Sequence, residues 1–588
     1  MCPRSCDPAI SLSLDAHRGA RVALGVLAVG YLLGCGESPE TDGGAKPGTP
    51  LPEEQSDGPV RLSYVCGNQF LITNAYSVPV SVTYRVLDSE EDGAADLSPA
   101  PAEDPAFSER LIETRTRGVV QLFFDGKLVD SSTNEGTPCT PATAAPAMLS
   151  AGTGSAGQWT APFPWPVVAV HLSLLPSGKV LSFGHAGVPQ VWDPATGVFT
   201  PVPSPALLFC AGHSFLSDGR LLVAGGHITN NHGIRDITIF GTGSTWSSST
   251  PMQRGRWYPT NTTMAHGEVV ITAGKDEGAL QVTVPEVWTP SGIRRLTTAS
   301  LVLPYYPRTF LAPNGKLYYA GETQTTRYLD IAGSGSWSTG PRRLYGARDY
   351  GAAVMYDEGR ILYVGGGHTT NTAEIVDLRQ ASPVWKWTGS MAYPRRHHNA
   401  VILPTGDVLV VGGLSGTGFD DLSTAVHPAE IWSPSTGQWS TLASNIINRG
   451  YHTSAILLPD GRVLLSGSGD GAGAPSERNA EIFSPPYLFA GARPVIGTAP
   501  STVGYGIAFR VDSPDAPSIA KVSLIRLGST THAFDMNQRF QKLSFSSDAS
   551  GLNVTAPSSR NRTPPGHYLL FIVNTSGVPS IAKIVQVK

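Results

Sequence analysis

Short apolar runs broken by small polar turns recur along most of the chain. LLPSGKVLSFG, FLSDGRLLVAGG, MAHGEVVITAG, LAPNGKLYYAG, MYDEGRILYVGGG, ILPTGDVLVVGG and LLPDGRVLLSGSG share one pattern: an apolar run, a turn containing glycine, a second apolar run and a closing glycine. Each reads as a β-hairpin, and the turn glycines are Gly178, Gly219, Gly267, Gly315, Gly359, Gly406 and Gly461. Their spacing of roughly 40 to 55 residues falls in the range of propeller repeats. Each hairpin is followed by a second half with a turn and an aromatic, as in PQVWDPATGVFTPV, AEIVDLRQASPVWKW and AEIWSPSTGQWSTL, which completes four strands. Such a unit cannot bury both its faces alone, so seven copies predict a closed ring of seven blades over 159–486.

The flanks lack the repeat but remain strand-rich. VRLSYVC, NQFLITNAY, VSVTYRVL and GVVQLFFDGKLV predict a small β-sandwich over 60–140, interrupted by an acidic, Ala/Pro-rich loop from Asp88 to Pro105. Residues 141–158 are mostly Ala, Pro, Thr, Gly and Ser and read as a linker. From 487 to 588, YGIAFRVD, IAKVSLIRLG, RFQKLSFS, GLNVTAP, HYLLFIVNT and AKIVQVK predict an Ig-like β-sandwich. The expected fold class is all-β: a seven-bladed, kelch-like β-propeller between two sandwiches.

Composition supports this reading and narrows the partners. The 65 glycines, 48 prolines and 15% charged residues suit many short strands joined by tight turns. A net charge of -4 over 588 residues provides no basic face, which excludes nucleic acid as a partner. At the N-terminus Arg4, Arg18 and Arg21 precede the apolar run VALGVLAVGYLLG, too short for a membrane span but suited to the core of an export signal over 1–34. The run ends in Leu32-Leu33-Gly34-Cys35, which resembles a bacterial lipoprotein processing site with Cys35 as the lipidated residue and 35–59 as its tether. The expectation is an exported cell-envelope or cell-surface protein, monomeric, touching membrane only through a lipid anchor. Of the remaining cysteines, Cys66 and Cys139 bracket the first sandwich and could form a disulfide, which leaves Cys210 as an odd thiol.

The candidate chemistry lies where strands begin. Tyr451 and His452 immediately precede a hairpin, and neighbours on a strand point to opposite faces, so the two can share a ligand only where the strand starts or bends. Both are ligands for a transition metal. First-strand starts of different blades converge on a propeller's channel, which brings in Phe209-Cys210-Ala211-Gly212 and Arg256-Trp257-Tyr258-Pro259-Thr260. Thr531-His532, in a loop of the last domain, could reach the same place. Taken singly, each is as readily a core aromatic, a buried thiol or a loop histidine. His567 opens a strand, and His227, His232 and His368 follow blade glycines at what reads as an exposed rim.

FCAG, RWYPT, GYHTSAILLPDGRV and LGSTTHAFDMNQR, in that order, resemble the galactose oxidase and glyoxal oxidase family of copper radical oxidases over about 159–588. The resemblance implies one copper ion held by Tyr258, Tyr451, His452 and His532, with Tyr451 axial. It also implies a thioether between Cys210 and Tyr258, which gives the odd cysteine its reason. In such a site Tyr451 takes the substrate's hydroxyl proton, and a Cys-Tyr radical on Tyr258 supplies the second redox centre that a two-electron oxidation needs. Dioxygen would be reduced to hydrogen peroxide, and no organic cofactor is required. Gly274-Lys275-Asp276 stands where galactose oxidase carries the indole that covers its tyrosine, so the covering group here is left open. His368-Thr369-Thr370 replaces a longer sugar-contacting loop, which argues against galactose and leaves primary alcohols, aldehyde hydrates and other carbohydrates as substrate classes. The competing expectation is a non-catalytic kelch-type binding or matrix protein, which the retention of all five site residues disfavours.

Overall fold

A computed structural model describes residues 60–66, 68–74, 78–97, 108–134, 154–470 and 474–588. Among them are strands and three short 3-10 turns, and no helix is long and apolar enough to cross a membrane.

Seven antiparallel sheets follow the repeat, five of them with four strands, the first with six and the last with five. The first strands are His171–Leu174, Gly212–Phe215, Thr260–Thr263, Thr309–Leu311, Ala352–Asp357, Asn399–Ile402 and Ser454–Leu457. In blade two the strands Gly212–Phe215, Leu221–Ala224 and Ile237–Phe240 are wholly buried, whereas the outer Trp246–Ser248 is not. Neighbouring blades cover both faces of the inner strands, which is why their sequences are continuous apolar runs and not alternations. All seven turn glycines have φ between 67° and 90°, a conformation that a side chain would strain.

Two connections were not evident from the repeat. Blade seven takes its outer strand from the N-terminal side: Gln158–Trp159 pairs with Asn479–Ser484, which closes the ring. Blade one is extended inward by Ser529–Thr531 and Phe534–Asp535, a hairpin of the C-terminal domain, with Thr531 opposite His171. This hairpin carries His532 into the channel.

The C-terminal domain is a five-stranded and a three-stranded sheet around Val522, Leu524, Leu570, Ile572 and Val585. The N-terminal sandwich pairs a three-stranded with a four-stranded sheet around Phe70, Ile72, Val82 and Leu122. Its Phe124–Lys127 hairpin turns on Asp125 and Gly126, both at positive φ, as the Asp-Gly signal predicts. The stretch from Asp88 to Pro105, expected to be a loop, contains the strand Asp92–Leu97, which pairs with Val80–Val86. DGAADL offers only Ala95 and Leu97 to the core, too few apolar positions to signal a strand. Cys35 and Cys139 lie outside the described residues, so the lipidation site and the Cys66–Cys139 pairing do too.

Candidate metal centre

Six blades deliver one side chain each to the channel by the same local device. Cys210, Tyr258, Tyr306, Tyr350, His397 and His452 stand two or three residues ahead of a first strand, and all six have φ between 45° and 68°. His532, two residues ahead of Phe534–Asp535, has φ 47°. A non-glycine residue in this region costs on the order of 1–3 kcal/mol, so each is held by its surroundings. Buried arginines supply part of that hold. Arg256, Arg348, Arg395 and Arg449 pair at 2.6–3.1 Å with Glu286, Glu374, Glu430 and Glu481 of their own blades, both partners at most 1% exposed. Each also donates to the carbonyl of the residue ending the second strand or following it, as Arg449 Nη1 does to Gly467 O at 2.8 Å. Each lies two or three residues before the channel residue of its blade, so the pair fixes where that residue emerges.

Tyr258, Tyr451, His452 and His532 meet in one buried cluster. The hydroxyls of Tyr258 and Tyr451 share a hydrogen bond, and His532 Nε2 lies 3.0 Å from Tyr258 Oη. The His452 and His532 rings stand 4.7 Å apart at 83°, and Tyr451 stacks on His452 at 3.9 Å. As the strand-start argument requires, Tyr451 and His452 share a site because His452, at φ 68°, bends the chain before Ser454–Leu457 begins. Cys210 is a buried free thiol beside Tyr258, whose N–H donates to Cys210 O at 2.9 Å. Burial pushes this thiol well above its usual pKa, so it is not a resting thiolate.

The protonation pattern suits a cation. His452 Nδ1 donates to Gly469 O, which leaves Nε2 a bare lone pair without a protein hydrogen-bond partner in a buried site. Burial pulls His452 down to about 3 and His532 well below its usual value, so both are neutral. Burial also pushes Tyr258 and Tyr451 well above the ordinary phenol value, so phenolates require a positive charge between them. Two neutral imidazoles and two phenolic oxygens form a donor set suited to tetragonal Cu(II). Among the described residues no group of three His, Cys, Asp or Glu could hold a metal, as expected where half the donors are tyrosines.

The covering group comes from a residue that the motif displayed but the sequence did not single out. Trp257 stacks on Tyr258 at 3.8 Å and 12°. Gly274-Lys275, where an indole was sought, lies across a backbone bridge from it: Trp257 N donates to Lys275 O, and Lys275 N returns the bond. Tyr306 stacks on Tyr258 at 4.7 Å and 30°. Two rings this close and this parallel cannot share one face, so Tyr258 is sandwiched between Trp257 and Tyr306. Tyr350 stands edge-on to Tyr451 at 5.5 Å, and His397 lies 5.1 Å from it. Arg308 ties these residues together by donating to the carbonyls of Tyr306, Gly351 and His532. A cavity of about 310 Å³ opens beside them, lined by Lys275, Gln281, Tyr305, Tyr306, Glu322 and Tyr350 among others.

The remaining histidines divide. His227, expected at an exposed rim, is 4% exposed and its Nδ1 accepts from Trp257 Nε1 at 3.1 Å, so it steadies the indole. His232 is half-buried, His368 is exposed, and His567 packs against the Gly219 turn, none of them in the cluster.

A seven-bladed propeller thus brings two imidazoles, two phenols and a thiol together at one buried point, the side-chain set of an oxidase that works with copper. The comparisons agree. Residues 368–487 match the family described as glyoxal oxidase N-terminus, and 493–587 the galactose oxidase-like early set domain. An aldehyde oxidase, GLOX, of Vitis pseudoreticulata is 30% identical over 470 residues, spanning 71% of this chain and 88% of that protein. A galactose oxidase of Gibberella zeae is 29% identical over 485 residues, 73% and 70% of the two chains. A fungal alcohol oxidase of catalytic diversity within the AA5 family, solved in complex with copper, superposes with a TM-score of 0.68 at 26% identity, covering 74% of this chain and all of that one. The chain belongs to the galactose oxidase and glyoxal oxidase family and is a copper radical oxidase.

Proposed function

We propose that the enzyme oxidises a primary alcohol or an aldehyde hydrate with dioxygen, releasing hydrogen peroxide, at a single copper held by Tyr258, Tyr451, His452 and His532. The observation that carries the reading is the bare His452 Nε2, buried in a cluster with two hydrogen-bonded phenols and a second neutral imidazole. When bound there, copper supplies one electron acceptor and the positive charge that the two phenols need. Cys210 and Tyr258 would be joined by a thioether, and the oxidised Tyr258 would be the second acceptor. In this assignment the propeller, 159–486, is the catalytic domain and 487–588 donates His532.

The chain's own groups have definite tasks. Tyr451 sits against Tyr258 and takes the substrate's hydroxyl proton, with Tyr350 and His397 packed on its ring to hold its direction. Trp257 and Tyr306 cover both faces of Tyr258 and keep water from it. The cavity lined by Tyr305, Tyr306 and Tyr350 is the substrate's approach, and its phenols, Lys275, Arg308 and Glu322 favour a polar, hydroxyl-bearing molecule over a plain alkyl alcohol. The apolar leader and the Leu32-Leu33-Gly34-Cys35 sequence support export and a lipid anchor at Cys35, and we take the enzyme to act as a monomer.

A panel of primary alcohols, aldehydes and carbohydrates, assayed for peroxide with copper-loaded protein, tests this. The expected result is peroxide release that Tyr258→Phe abolishes while copper remains bound. Peroxide release unaffected by Tyr258→Phe would overturn the role given to Tyr258, and none from any member of the panel would favour the binding-protein reading.

A further inference from the structure

Two buried histidines that the chemistry above does not use form a string leading to the cross-link cysteine. His171 opens blade one and His213 lies in the first strand of blade two, and both are 0% exposed. The backbone N–H of Cys210 donates to His171 Nε2 at 3.1 Å. An N–H can only donate, so Nε2 is bare and the His171 proton is on Nδ1. Nδ1 lies 2.9 Å from His213 Nε2 and must donate to it. His213 in turn carries its proton on Nδ1, which donates to Ser529 Oγ, with Ser173 Oγ 3.4 Å away and 3.0 Å from Ser529. One assignment of protons satisfies the whole string. It runs from Cys210 to the start of the hairpin that bears His532, and Thr531 of that hairpin pairs with His171 itself. His171 is further fixed by stacking on Phe183 at 4.4 Å and 10°.

Cys210 needs such a hold. At φ 62° it is in a region that costs a side-chain-bearing residue energy, and its N–H is buried. We propose that His171 and His213 are positioning residues for thioether formation: they hold the left-handed backbone of Cys210 in register with the His532 hairpin, so that the thiol faces the Tyr258 ring. The proposal rests on the reading of Cys210 and Tyr258 as the cross-linked pair. In that step the Cys210 S–H and one ring C–H of Tyr258 are lost and a C–S bond forms. Two electrons and two protons pass to dioxygen, in the presence of copper, to give hydrogen peroxide.

The test follows the cross-link by mass and not by turnover. Full-length protein prepared without copper is given Cu(II) in air and quenched at intervals. The Cys210 and Tyr258 peptides are then weighed, the joined pair being two hydrogens lighter than its parts. His171→Phe keeps the stacking on Phe183 but removes both the acceptor for Cys210 N–H and the donor to His213, whereas His171→Gln retains the acceptor. The expected result is cross-linking slowed about ten- to a hundredfold in His171→Phe at unchanged copper content, with most of the rate restored in His171→Gln. Cross-linking at the wild-type rate in His171→Phe overturns the proposal. If that variant does not fold, the double variant Ser173→Ala, Ser529→Ala, which deletes no ring, gives the answer in the same way. Absence of the thioether from wild type would instead remove the reading of the pair, and this proposal with it.

Discussion

Replacing Trp257 by leucine removes the indole face from Tyr258 and leaves Tyr306 on the other side. The stack is close and nearly parallel, 3.8 Å between centroids at 12°, and the indole is 7% exposed. An aromatic pair of this kind is worth about 0.5–1.5 kcal/mol beyond the area it buries. An electron-rich indole favours the electron-poor oxidised ring, so that energy is lost from the oxidised form when the indole goes. With a tenfold change in a one-electron equilibrium corresponding to about 59 mV, the Tyr258 midpoint is expected to rise by up to about 65 mV, the limit reached when the whole stacking energy belongs to the oxidised ring. The radical should also decay faster, because the shorter side chain leaves room for water beside it. Trp257→Phe, which keeps a ring but loses the Nε1–H bond to His227, should shift the midpoint less. A redox titration of copper-loaded protein, followed by the optical or paramagnetic signal of the radical, measures both quantities. An unchanged midpoint and lifetime in Trp257→Leu would refute the assignment of Trp257 as the covering group.

Other perturbations reach other parts of the account. Tyr451→Phe removes the proton acceptor but keeps three donors, so kcat/KM should fall about 10²–10⁴-fold with copper content near wild type. His452→Ala or His532→Ala takes an imidazole from the donor set, and metal analysis should show copper lost. Chelation should stop peroxide release, and Cu(II) but not Zn(II) should restore it, because zinc cannot change its oxidation state. Arg449→Met leaves Glu481 buried without its countercharge, and the propeller's unfolding transition should report a loss of about 3–5 kcal/mol.

The repeat made the propeller legible because a blade's inner strands are both apolar and punctuated by a glycine that must adopt positive φ. Tyr451, His452, Tyr258, Cys210 and His532 were legible as candidates for a related reason: they precede strands, where chain direction can change. What escaped the sequence reading was the same device in blades four to six. ARDYGAA and RRHHNA carry Tyr350 and His397 at the offset that RWYPT gives Tyr258, and YYPRTF carries Tyr306 one residue earlier, so superposing the seven repeats on their first strands brings all three into register with Tyr258. Trp257 was not legible because neighbours on a regular strand point to opposite faces, and only the left-handed turn at Tyr258, φ 66°, lets the two rings stack. Ring closure through Gln158–Trp159 and the inward hairpin at Ser529–Asp535 depend on pairings between strands far apart in the chain, about which local patterning says nothing. His171 and His213 sit inside apolar strands, where only contact with each other and with Cys210 distinguishes them from core residues.

The central claim is that Cys210 and Tyr258 form one redox group beside the copper ligands. Digesting copper-loaded, air-exposed protein and weighing the peptides that contain them tests it most directly. The account predicts a single covalently joined species, two hydrogens lighter than the sum of the separate peptides. Two unmodified peptides recovered from protein that has bound copper would contradict it.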